Sequence, residues 1–256
     1  MIIDGDCHIS PTVEGGGNSI SYEELLQKMD RAGVDKALTW LQPPYRRETD
    51  PANAYVHEAM TQHPDRILGF GWADPNLGVE QAIETVKRCV DEYGFYGVKM
   101  NGAQNDYFID DPDRAMPVVE AIAASGKLLA FHVGADAPDQ TNPFRVAKIA
   151  ERFPETQILM VHMGGVTNPN LGRAAIEVAE THPNLTLIAS AIRGPKIMQA
   201  IEVLGAERVC YGSDTPFEYM RGEAARFLAM LDGAVSTEGK ALVMGGNIAR
   251  LFGLNA

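Results

Sequence analysis

The chain holds only three cysteines, Cys7, Cys89 and Cys210. An odd number at wide spacing gives neither a disulfide framework nor a thiolate zinc pattern. Reduced thiols in a cytoplasmic protein are the simple reading. Positive charge is also scarce: 22 Lys and Arg stand against 34 Asp and Glu, for a net charge of −12. Nucleic acid requires a basic face on its partner, as does an anionic membrane surface, so neither is expected to bind. No apolar run is long enough to span a bilayer. The opening residues lack the basic region and long apolar run of a signal peptide, and none is expected. Gly15-Gly16-Gly17 sits in a loop, but no Gly-Lys-Ser/Thr follows to make it a phosphate loop. Linkers, low-complexity segments and strong internal repeats are missing too, so residues 1–256 read as a single domain.

What is present is an alternation. Short apolar strands are expected at the opening residues and at 34–41, 66–73, 95–100, 127–133, 156–162, 185–189 and 208–211. Helical segments fall between or after them, at about 21–32, 51–62, 77–93, 112–125, 143–152, 170–181, 195–204, 221–231, 238–244 and 246–251. Ser21 with Glu24 has capping-box spacing, and Gly33 is a natural helix stop. Strands joined by helices pack as a parallel sheet. The first strand lacks a Gly-x-Gly-x-x-Gly turn, and the length of 256 residues suits a closed (β/α)8 TIM barrel. In that fold the active site forms at the C-terminal ends of the strands.

Polar residues gather at those ends. In Ile2-Ile3-Asp4-Gly5-Asp6-Cys7-His8, strand alternation puts Asp6 and His8 on one face and Cys7 on the other. A carboxylate beside an imidazole suits a divalent metal. His132 ends Leu128-Leu129-Ala130-Phe131-His132, His162 ends Ile158-Leu159-Met160-Val161-His162, and Asp214 follows Val209-Cys210-Tyr211-Gly212-Ser213. An apolar strand that ends in such a group needs a partner for it, and a barrel brings all these ends to one mouth.

These motifs, with His162-Met-Gly-Gly, Gly212-Ser-Asp-x-Pro216 and Gly246-Asn247-x-x-Arg250-Leu-Phe, resemble the amidohydrolase-related (amidohydrolase 2) family. The resemblance covers essentially the whole chain and lies in the branch that contains aminocarboxymuconate-semialdehyde decarboxylase. It implies a metal-dependent barrel with one divalent ion, zinc first and manganese as the alternative. It implies ligation by Asp6, His8, His132 and Asp214, with His162 beside the ion as a catalytic group. Many members carry His-x-His on the first strand. Asp6 here is a harder ligand, which favours manganese more than an all-imidazole site would.

Other residues near predicted strand ends are candidate substrate contacts. Arg193 could grip a carboxylate or form a surface salt bridge. Lys99 is read as substrate-facing or ion-paired, and Trp40, Trp72, Asp74 and Phe217 as lining or plugging the pocket. His57 and His63 read as surface residues, and Asn247 as a helix cap. The expected partner is a small molecule, with a homo-oligomer left open. The first expected function is hydrolysis of a small ester, amide or lactone. Asp214 would act as general base and then acid, and His162 would hold the developing oxyanion. The alternative is a non-oxidative decarboxylase of a small unsaturated or aromatic acid. The third is a barrel that has lost its metal and its catalysis.

Overall fold

The computed structural model of the protein describes residues 1–12, 19–42, 49–165 and 168–254, so the Gly15-Gly16-Gly17 loop lies outside the described residues. β1 (Ile3–Ile9) pairs in parallel with β2 (Lys36–Leu41), and β2 pairs with β3 (Ile67–Gly69). A second parallel run joins β4 (Gly71–Trp72), β5 (Gly97–Met100), β6 (Leu128–His132), β7 (Ile158–Val161), β8 (Leu185–Ile188) and β9 (Val209–Cys210) in that order. The Phe70 N–H donates to the Thr39 carbonyl at 2.9 Å, so β3 and β4 are one barrel strand interrupted at Phe70. The ring closes where Gly5 N–H donates to Tyr211 O at 3.0 Å and His8 N–H to Thr215 O at 2.7 Å. The result is a closed α/β barrel of the TIM type, with helices between successive strands.

Local chemistry sets the helix ends. The capping box at Ser21 and Glu24 forms with both of its bonds, and Gly33 ends the helix Tyr22–Ala32 at φ 69°. Elsewhere the structure departs from the sequence expectation. The long helix at 77–93 is broken into a 3₁₀ turn (Pro75–Leu77) capped by Asp74, a helix (Val79–Lys87) and a π-helical turn (Arg88–Glu92). Gly78 at φ 115° separates the first two. Asn247 is no cap, because a π-helical turn (Leu242–Gly246) runs directly into its helix. Its amide instead donates to Ala206 O and Val209 O at 2.7 and 2.9 Å, which ties the last helix under the barrel.

Ile3, Leu38, Trp40, Leu68, Phe70, Ala130, Leu159, Val161, Ile188 and Cys210 fill the barrel interior as one apolar cluster. Ile248 and Phe252 of the last helix continue it at the N-terminal ends of the strands. The opposite end is therefore the polar one. Cys7, Ala37, Leu41, Val98, Leu129 and Met160 belong to the second cluster, which packs the barrel against its helices.

The first strand does not alternate simply. Ile3 faces the interior, so strict parity would turn Asp6 and His8 outward. The pairing with β2 shifts between Asp4 and Cys7: Asp4 faces Ala37 and Cys7 faces Thr39. Gly5 and Asp6 thus stand together against Leu38, as a β-bulge. A side chain on Gly5 would meet the Tyr211 carbonyl and Ile188, so only glycine fits there. The extra residue reverses the parity and sends Asp6 and His8 into the mouth with Cys7 outside.

Candidate active site

Asp6, His8 and Asp214 each offer a ligand atom, and the three atoms lie within 4.8 Å of one another. His8 Nδ1 is 2.9 Å from the Leu41 carbonyl, which can only accept, so Nδ1 carries the proton. His8 Nε2 is then unprotonated, 3.4 Å from Asp6 Oδ1 and 3.7 Å from Asp214 Oδ1. Three electron-rich atoms converge, and the hydrogen that reaches them comes from Trp40, whose Nε1–H donates to His8 Nε2 at 3.1 Å. Asp6 Oδ1 and His132 Nε2 are buried and have no hydrogen-bond partner among the described residues. Oxygen and imidazole donors left bare in this way fit a divalent cation.

Charge is balanced from below. Lys99, fully buried on β5, places Nζ 3.9 Å from Asp6 Oδ1 and 3.7 Å from the centroid of the Trp40 ring. Burial raises the Asp6 carboxyl, but Lys99 and the neighbouring histidines outweigh it and hold the group ionised. Burial pulls Lys99 down from its ordinary value, against the two aspartates. Asp214 is pushed up by burial and then by the Asp6 charge.

Two backbone turns aim the last functional groups. Leu159 and Val161 face inward, so alternation would send His162 outward. Its φ of 67° turns the ring over the mouth instead, and Asp214 has φ 61°. Left-handed conformations of this kind cost on the order of 1–3 kcal/mol each, so the surroundings must hold them. For His162 they do so through β8. Its Nδ1 lies 3.3 Å from the Ser190 carbonyl and 3.1 Å from Ser190 Oγ. The loops after β6 and β7 also cross backbone to backbone at Gly134, Gly164 and Gly165, where any side chain on Gly134 or Gly165 would collide. His162 stands edge-on to His132, ring centroids 4.6 Å apart. Burial and the neighbouring His132 push the His162 pKa down to about 3.

The cavity over these groups measures about 300 Å³ and is lined by His8, His132, His162, Asp214 and Phe217 of the sequence candidates. Asp6 and Lys99 are fully buried behind its wall. Trp40 and Trp72 are buried too, the latter donating Nε1–H to Asn105 at 2.9 Å, and Asp74 caps the turn beyond it. Lys99, Trp40, Trp72 and Asp74 are not among the residues that line the cavity. Arg193 is exposed and lines an adjoining cleft with Glu223 and Arg226, which shares Ala191 and Glu218 with the cavity. Of the two readings the sequence left open for Arg193, this exposed place outside the cavity favours a surface position over a substrate contact, and a left-handed turn at Ala191 precedes it.

Asn101, Gln104, Asp136, Glu218 and Ser190 were not singled out from the sequence. The first four line the cavity, and Asp136 Oδ2 lies 3.5 Å from His132 Nε2 and accepts from Gln104 Nε2 at 3.1 Å. Asp136 and Glu218 are loop residues without periodicity, and Asn101 and Gln104 cap and form the single turn of helix Gly102–Asn105. Ser190 was legible in principle, since it is two residues beyond the inward Ile188.

Similarity to known proteins agrees with this architecture. The chain is 23% identical over 243 residues to a 2-amino-3-carboxymuconate-6-semialdehyde decarboxylase of Dictyostelium discoideum, covering 79% of this chain and 66% of that protein. It spans just under two thirds of that relative's length. A gamma-resorcylate decarboxylase of Polaromonas sp. is 23% identical over 252 residues, with 80% of this chain and 76% of that protein covered. A crystal structure of a dihydroxybenzoic acid decarboxylase of Polaromonas sp., with bound manganese and the inhibitor 2-nitroresorcinol, superposes with a TM-score of 0.76 at 19% identity, over 100% of this chain and 97% of that one. A sequence model described as Amidohydrolase matches residues 3–254, and the chain therefore belongs to the amidohydrolase family.

Proposed function

We propose that the protein is a metal-dependent, non-oxidative decarboxylase of a small aromatic or unsaturated acid. The observation that carries this reading is the placement of Asp214: a half-buried carboxyl on the cavity wall, with its ligand atom and those of Asp6 and His8 within 4.8 Å of one another. A proton donor at that place suits delivery to carbon. The curated relatives, both decarboxylases, support the same reaction class.

Asp6, His8 and Asp214 would hold the ion, with His132 completing the set. When bound, the ion supplies the positive charge that neutralises the substrate carboxylate and a neighbouring oxygen. That charge is needed, because no Lys or Arg lines the cavity among the described residues. Asp214 gives its proton to the ring or alkene carbon that bears the carboxylate. The bond to the carboxylate then breaks, its electrons return to the substrate and carbon dioxide leaves. Asp214 regains a proton from water. His162 Nε2 faces the substrate as an acceptor for a hydroxyl, and Phe217 packs on its apolar face, as it now does on His8 with ring centroids 5.4 Å apart. Two carboxylates among the donors favour manganese over the zinc expected from the sequence.

Hydrolysis, the first expectation from the sequence, gives way here. It asks His162 to donate a hydrogen bond to an oxyanion, yet the Ser190 carbonyl, 3.3 Å from Nδ1, can only accept and favours the tautomer with the proton on that nitrogen. The test is a panel of hydroxybenzoates and unsaturated acids beside small lactones and amides, with ion-loaded enzyme. Carbon dioxide release from an acid is expected. Lactone or amide cleavage without carbon dioxide release would overturn the proposal.

A further inference from the structure

We infer that Ser190 is a positioning residue that couples Asp6 to His162 through one hydroxyl. The inference rests on the metal-centre part of the proposed function, but not on the reaction class. Ser190 is fully buried at the end of β8. Its Oγ is 2.6 Å from Asp6 Oδ2 and 3.1 Å from His162 Nδ1. A hydroxyl has one proton. Asp6 Oδ2 is the nearer acceptor at 2.6 Å, and Lys99 Nζ stands 3.9 Å from the other oxygen of that carboxylate, so the proton goes to Oδ2. Toward His162 the oxygen must then accept, which requires the proton on Nδ1. The Ser190 carbonyl at 3.3 Å from the same nitrogen demands the same tautomer.

Two consequences meet at this residue. Asp6 has Oδ2 pinned, so Oδ1 is left to face His8 Nε2 at 3.4 Å. His162 has Nδ1 occupied, so Nε2 is presented to the cavity bare, as an acceptor. No other side-chain hydrogen bond reaches the Asp6 carboxylate from a donor among the described residues. The site is also close-packed. A side chain on Gly212 would sit against both Asp6 Cβ and Ser190 Cβ, so the three positions are fitted to one another. Groups that orient metal ligands in this way typically change metal affinity by about 10–100-fold when removed.

The test uses the full chain and two readouts. In metal-free wild-type protein at neutral pH, ¹⁵N NMR of the imidazoles should show His162 protonated at Nδ1 and bare at Nε2. An Nε2–H tautomer would overturn the inference without touching the proposed reaction. Manganese affinity, measured by competition with a chelator, should fall about 10–100-fold in Ser190→Ala, with Ser190→Cys in between because a thiol is a weaker donor. The loss should appear in kcat more than in KM, since Ser190 touches no substrate. Wild-type affinity in both variants, with the His162 tautomer unchanged, would show that the hydroxyl couples nothing. If Ser190→Ala does not fold, the Ser190→Cys affinity and the wild-type spectrum still decide the matter.

Discussion

The two sides of the mouth are built differently. On the β1 and β9 side, Asp6, His8 and Asp214 bring three ligand atoms within 4.8 Å, over a buried lysine. On the β6 and β7 side, His132 and His162 are neutral rings set edge-on, with Asp136 at the rim. The first side gathers two carboxyl groups and an imidazole, with the Lys99 ammonium 3.9 Å from Asp6. The second holds neutral acceptors that burial keeps unprotonated.

The largest expected effect breaks the charge balance of the first side. Asp6→Asn removes the nearest counter-charge of the buried Lys99 ammonium, and should destabilise the metal-free protein by about 3–5 kcal/mol in urea denaturation. Asp6→Asn with Lys99→Met should recover most of that stability and still take up no ion. Full stability of the single variant would mean that the two residues are not a pair.

The next effect separates the sides. Asp214→Asn and His162→Asn should each lower turnover by about 10²–10⁴-fold. Elemental analysis should find the ion lost from Asp214→Asn and kept in His162→Asn. The reverse pattern would exchange the two assignments.

A third concerns pH. His162, pushed down to about 3 from an ordinary 6.5, must stay neutral in the folded state. Its contribution to stability is complete above pH 6.5 and is lost as pH falls toward 3, because the unfolded chain takes up the proton first. Burial lowers His8 and His132 in the same direction. Asp214, raised by burial, pulls the opposite way and favours acid. Denaturation of metal-free protein at a series of pH values should show a shallower acid limb in His162→Asn than in wild type. Equal limbs would place the acid sensitivity elsewhere.

The smallest effect is at Arg193. If it gripped the substrate carboxylate, its removal would cost about 1.5–3 kcal/mol, or more than tenfold in kcat/KM. From its place in the adjoining cleft, Arg193→Gln should change kcat/KM by less than about tenfold. A larger loss would mean that the two clefts act together.

Much of this was legible in the sequence. The barrel followed from the alternation of strands and helices, and the His132 position from an apolar run with a polar end. The helix start at Ser21 followed from a three-residue spacing that both bonds fulfil. What was illegible is where backbone geometry departs from its period. The bulge at Gly5 and Asp6 reverses a parity that strand alternation alone would set from Ile3. Left-handed turns re-aim His162 and Asp214, and another at Ala191 takes Arg193 away. Asp136 and Glu218 stand on loops, where no period exists to place them. Ser190 escaped because Arg193, three residues on, carried the more conspicuous chemistry.

The indole of Trp40 gives the protein an optical property. The chain has two tryptophans, and both are buried beside this centre. Trp40 spends its N–H on His8 Nε2 at 3.1 Å and carries the Lys99 ammonium over its ring at 3.7 Å. If His8 gives that lone pair to an ion, as proposed above, the indole would lose its acceptor and feel a new field. The intrinsic emission of the unlabelled protein should then change when the ion is added, and Trp40→Phe is the variant expected to lose that change.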